Sequence, residues 1–94
     1  VAEFQGNDVM VTKLLGEYVW HQHAYDELFL VLRGELVIAM RHKTIVLCSG
    51  ELFVVPRHTE HRPRACAEVH LLLMAPTGAP NSGDPATAAP RCVI

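Results

Sequence analysis

His21, His23 and Glu27, in the stretch HQHAYDE (21–27), are residue types that bind transition metals, at a spacing that suits a sheet. Successive side chains of a strand alternate faces, so His21 and His23 point the same way with backbones roughly 6.5–7 Å apart. Two imidazoles on that base can lean together onto one ion at about 2.0–2.2 Å. AYD then reads as a turn, and Glu27 starts the next strand beside them. A carboxylate so placed completes a 2-His-1-carboxylate face that suits iron, manganese, nickel or zinc. A hairpin end is also an ordinary place for exposed histidines, and the segment taken alone leaves both readings open.

The elements that would position these residues are strands throughout. VMVTKLL (9–15), EYVWHQH (17–23), ELFLVL (27–32), ELVIAMR (35–41), TIVLC (44–48), ELFVV (51–55) and EVHLLLM (68–74) are rich in β-branched, leucine and aromatic residues. Gly16, AYD, RGE, RHK, SGE and PRHTE separate them as turn signals. No ten-residue stretch has a helical period, so no helix longer than about two turns is expected. Short, evenly spaced strands imply an antiparallel sandwich or barrel, which also removes exposed sheet edges. No internal repeat is visible. From Pro76 the character changes: PTGAPNSGDPATAAPRCVI holds four prolines and almost no core-forming side chains. The expected organisation is one barrel domain over 1–75 and an irregular tail over 76–94.

Composition narrows the function classes. Ninety-four residues make one small domain, and with half of them hydrophobic and 19% charged the chain is globular. A net charge of −2 without a lysine or arginine run gives nucleic acid no electrostatic footprint. LFLVL (28–32) and LLLMA (71–75) are too short to span a bilayer, and no basic-then-apolar signal region opens the sequence. It opens on Val1 rather than Met, which is consistent with residues having preceded it. Cys48, Cys66 and Cys92 form no CxxC pair and are odd in number, so they read as reduced thiols of a cytoplasmic protein. Cys48 and Cys66 are expected in the core.

Read outward from HQHAYDE, the spacing is Gly16, four residues, His21, one, His23, three, Glu27, six, Gly34. Further on come Gly50, five residues, Pro56, four, His61. This resembles the two motifs of the cupin superfamily, and most of all the small single-domain bacterial cupins described as similar to mannose-6-phosphate isomerase. The resemblance covers about residues 16–65. It implies a small antiparallel β-barrel of the jelly-roll, or double-stranded β-helix, type. It also implies that His21, His23, Glu27 and His61 are the ligands of one divalent transition metal. The fifteen residues between Gly34 and Gly50 are at the short end for the family, as in microbial members. Gly16 precedes His21 by four residues where the family has five. His58 and Ala65 stand where the second motif has glycine and asparagine. None of these is a ligand. Glycine at the first of those positions usually supplies a positive φ, so a departure from the family's geometry is expected in the turn after Pro56.

Three neutral imidazoles and one carboxylate would leave a divalent ion with a net charge near +1 and, if octahedral, two open positions. Such a centre suits a small ligand that chelates through two oxygens: a 2-oxo acid, an enediol or a catechol. Strand parity places Val19, Phe29, Val31 and Pro63 around it as an apolar, substrate-facing wall. Arg62 and Arg64 fall on the opposite parity, which argues against a phosphorylated substrate. Tyr18 and Trp20 also fall outward. Two functions are compatible with this: a small metalloenzyme of dioxygenase, isomerase or decarboxylase type, or a small-ligand binding or sensing module without turnover. No general acid or base is evident beyond metal-bound water, His58 or Tyr25, and no catalytic residue is assigned. Phe4, Val9, Val11, Tyr18 and Trp20 suggest an apolar surface for a homodimer, as the resemblance also implies.

Overall fold

The computed structural model describes residues 2–78 of the 94. It contains seven strands: β1 (Ala2–Phe4), β2 (Asn7–Glu17), β3 (Glu27–Arg33), β4 (Glu35–Met40), β5 (Thr44–Cys48), β6 (Leu52–Val55) and β7 (His61–Pro76). No helix occurs among the described residues. The fold is the all-β, jelly-roll type expected, and all its pairings are antiparallel.

β7 is the spine. One of its edges runs against β2 for almost its whole length, from Asn7↔Pro76 to Glu17↔Arg64. Its other edge is shared: β4 pairs with His61–Arg64, and β3 pairs with His70–Met74. Between these halves the register slips against both neighbours, at Leu14/Gly16 and at Val31/Arg33. Extra residues at such a bulge bend a strand, so the single seven-stranded sheet turns a corner between the two halves of β7. Gly34 sits at this corner with a φ of +100°, and a Cβ there would lie 3.2 Å from the Glu68 carbonyl oxygen. Only glycine meets both conditions without strain.

Alternation decides what lies inside. Phe29 and Val31 of β3, Leu36 and Ile38 of β4, and Val69, Leu71 and Leu73 of β7 are buried in one core. The same rule places the start of β3 and the start of β7 at one end of that core, where Glu27 and His61 point inward and are buried. Both are polar, and both are expected site residues.

Some segments differ from the sequence reading. β1 was not legible; Gln5 and Gly6, both with positive φ, close it onto β2 in a tight hairpin. The segment 17–23 is no continuous strand, because β2 ends at Glu17 and His21 makes only an isolated bridge to His61. The segment 68–74 is only part of a 16-residue strand that begins at His61. Its first half, HRPRACA, holds a proline and two alanines, which weaken a strand signature. Pro76 closes β7, and the tail expected beyond it lies, from residue 79, outside the described residues. Cys48 and Cys66 are free but exposed, not core thiols: Cys48 comes after inward Leu47 on β5, and Cys66 lies in the β7 bulge.

Candidate metal centre

His21, His23, Glu27 and His61 come together at one end of the barrel, with one ligand-type atom of each within 4.8 Å of the others. They arrive by three routes. Glu27 is the first residue of β3 and faces the core. His61 opens β7, and its backbone exchanges two hydrogen bonds with His21, at 3.1 and 2.9 Å. His23 lies two residues beyond His21 and is only 9% exposed. Its carbonyl accepts the His58 N–H at 2.7 Å, which ties the loop of residues 18–26 to the turn after Pro56.

The ring nitrogens are sorted by their partners. His21 Nδ1 lies 2.7 Å from the Val19 carbonyl oxygen, and His61 Nδ1 lies 2.8 Å from that of Thr59. A carbonyl only accepts, so each Nδ1 carries the proton and each neutral ring keeps a lone pair on Nε2. Glu27 Oε1 lies 3.5 Å from His61 Nε2 and 3.6 Å from His23 Nε2. Both Nε2 atoms are buried without a hydrogen-bond partner. The His61 lone pair thus faces a buried carboxylate with the unpartnered His23 Nε2 beside it, an arrangement that a cation between them would relieve. Ligand pairs around an ion at bonds of about 2.1 Å are separated by roughly 3.0–3.4 Å, so these two pairs need only a small contraction, while the widest pair of the four lies within 4.8 Å. Burial holds His23 below its ordinary pKa; His21 and His61 push the same way, while the Glu27 carboxylate opposes them. The donor set therefore fits a divalent transition ion.

The space beside these groups is walled by Leu14, Phe29, Pro63 and Leu73, with Tyr18 at its side. Its enclosed part is about 30 Å³, room for a water or two. Of the four residues expected as a wall, Phe29 and Pro63 line it, Val31 lies within the core at 0% exposure, and Val19 is 71% exposed. Tyr18 lines the pocket instead of facing out, because strand parity does not continue past Glu17. Trp20 does lie outside, with the Arg41 guanidinium 3.8 Å and that of Arg62 5.3 Å from its ring centre. Tyr25 stacks on His23 at 4.6 Å, and burial together with Glu27 pushes its pKa up to about 12. His42 is exposed and stands apart from the cluster. His58 is exposed too and itself adopts the left-handed φ of +63° that glycine would supply, so the turn keeps its form.

A family model described as the Cupin domain matches residues 10–75. The chain belongs to the cupin family. Among related proteins, this cupin is 40% identical over 67 residues to the uncharacterized protein YdbB of Bacillus subtilis, covering 69% of this chain and 59% of that protein. It therefore spans under two thirds of the length of that relative. A cupin-2 domain protein of Shewanella frigidimarina, solved as a crystal structure, is 40% identical with a TM-score of 0.76 over 79% of this chain and 74% of the other. The cupin also shares its fold with hydroquinone 1,2-dioxygenase from a Sphingomonas species, solved with 4-hydroxybenzoate bound, at 16% identity. That TM-score is 0.71, over 82% of this chain and 63% of the other. These matches support the cupin family and give no support to a specific likeness to mannose-6-phosphate isomerase. Among the described residues no helix is long and apolar enough to cross a membrane.

Proposed function

We propose that this cupin holds one divalent transition metal through His21, His23, Glu27 and His61 and acts there on a small, oxygen-rich metabolite. The carrying observation is the pair of buried, unpartnered Nε2 atoms directed at a buried carboxylate. A bound ion would supply Lewis acidity to a chelating substrate. The protein's own contribution is positional. Val19 and Thr59 carbonyls hold two ligand rings in one tautomer. Leu14, Phe29, Pro63 and Leu73 make the wall apolar, and the Tyr18 side chain borders the space. Phe29 and Pro63 remain the substrate-facing residues of the expected wall. Among the described residues no arginine or lysine lines this space, so a sugar phosphate is disfavoured and a neutral or singly charged chelator is favoured. Dioxygenase, isomerase and decarboxylase chemistry all fit such a centre. The test is oxygen uptake and substrate loss by iron-loaded protein offered catechols, enediols and 2-oxo acids.

A second reading, a binding or sensing module, is favoured by one observation. Tyr18 lines the space and Tyr25 stacks on His23, and Tyr25 with a pKa near 12 is a poor base at neutral pH. Tight binding of the same compounds without turnover would establish it.

The partner we propose is a second copy of the chain. Beyond the exposed Phe4 and Val11 expected for this role, the outward face of β2–β7–β3–β6 carries two apolar rows in register. Val9, Met74, Leu28 and Val54 form one, and Val11, Leu72, Leu30 and Leu52 the other. With neighbouring strands about 4.8 Å apart the rows run roughly 14 Å across the four strands as one contiguous apolar face. The exposed free thiols of Cys48 and Cys66 fit a reducing, cytoplasmic setting.

A further inference from the structure

We propose that Asp26 is a positioning residue that sets the spacing of the metal ligands by clasping two loops together, an inference that rests on the metal-binding reading above. The loop of residues 18–26 delivers His21 and His23 and runs directly into Glu27. The loop of residues 56–60 runs directly into His61. Backbone contacts join the two loops near the ligands, and so does the side chain of Asp26. Its Oδ1 accepts the Arg57 backbone N–H at 2.8 Å.

The bond matters because it anchors the turn that leads into His61. Pro56 accepts the Thr59 N–H at 3.2 Å, closing the turn, and His58 within it has a φ of +63°. A non-glycine residue does not hold that conformation unaided, so neighbouring contacts must impose it. The acceptors outside the turn are Asp26 for Arg57 and the His23 carbonyl for His58. The turn ends at Thr59, whose carbonyl orients the His61 ring. Asp26 therefore acts on His61 through Arg57 and Thr59, and on Glu27 as its chain neighbour. Those two ligands face each other at 3.5 Å. The Arg57 guanidinium also approaches Asp26, at 3.5 Å, but both side chains are more than half exposed, and such pairs contribute little. The backbone contact is the working one.

The experiment compares Asp26→Ala, Asp26→Asn and Arg57→Ala with the unaltered chain, using Co(II) alone as the probe. Asparagine keeps the Oδ1 acceptor, and Arg57→Ala keeps the backbone donor. Measured are cobalt affinity by competition, the visible spectrum of the bound cobalt, and the melting temperature without metal. Expected is roughly tenfold weaker binding and a shifted spectrum for Asp26→Ala. The other two variants should stay within about twofold with the original spectrum. Unchanged affinity and spectrum in Asp26→Ala, even with a lowered melting temperature, would make the clasp merely structural and overturn the proposal. So would an Asp26→Asn variant as impaired as Asp26→Ala. If the unaltered chain takes up no cobalt, the metal reading fails and this one falls with it.

Discussion

His58→Gly should stabilise the protein, although it deletes a side chain. His58 is exposed and holds a φ of +63°. An L-residue in the left-handed region costs about 1–2 kcal/mol, a penalty that glycine does not incur. Against this, glycine widens the unfolded ensemble, which costs about 0.5–1 kcal/mol. The His58 N–H bond to the His23 carbonyl is a backbone contact and survives the change. The balance lies between about 0 and 1.5 kcal/mol, with its middle at a gain of about 0.75 kcal/mol. For a domain of this size that middle value raises the melting temperature by roughly 3–6 °C. His58→Ala is the control, since it removes the same ring and leaves the strain, and it should melt within about 2 °C of the parent. Thermal unfolding monitored by circular dichroism, without metal, separates the three proteins. If glycine and alanine variants melt together, or the glycine variant melts lower, the turn is not strained and the account of it is wrong.

Gly34→Ala should destabilise by about 1–3 kcal/mol, because a Cβ there meets Glu68 and Val69 at 3.2–3.3 Å with φ at +100°; urea unfolding would show it, and an unchanged midpoint would contradict it. Without metal, stability should rise with pH up to about 6.5 and then level. Below that value the unfolded His23 binds more protons than the native one, whose pKa is lowered by burial; melting points flat from pH 5 to 7 would count against a buried, neutral His23. Leu72→Glu, in the middle of the outer apolar face, should convert a dimer to a monomer in light scattering at micromolar concentration, whereas a monomeric parent would remove the dimer itself.

Much of the site was legible because its ligands obey local rules. His21 and His23 share a face by spacing, and Glu27 begins the apolar run of β3. His61 was reachable only through the second motif: its partners are distant in sequence, and HRPRACA hides the strand it opens. The pocket wall was legible only in part. Parity gave Phe29 and Pro63, which sit on β3 and β7, but not Tyr18, which lies just past the last residue of β2. Leu14 and Leu73 are brought in by pairings between distant strands, which single-strand patterns do not report. The cysteines misled because their small apolar side chains suit a core equally well. Their exposure depends on the register of β5 and on the β7 bulge.

The central claim is that four residues share one ion, and it is tested most directly by counting metal. The unaltered chain, His23→Ala, His61→Ala and His42→Ala would be loaded identically, desalted and analysed for metal per chain. His42 is exposed and outside the cluster, so its loss should change neither occupancy nor stability by more than about 0.5 kcal/mol. Expected is one ion per chain in the parent and in His42→Ala, and almost none in the other two, with all four still folded. Equal occupancy in all four would mean that HQHAYDE is a polar loop and that the buried histidines serve the fold alone.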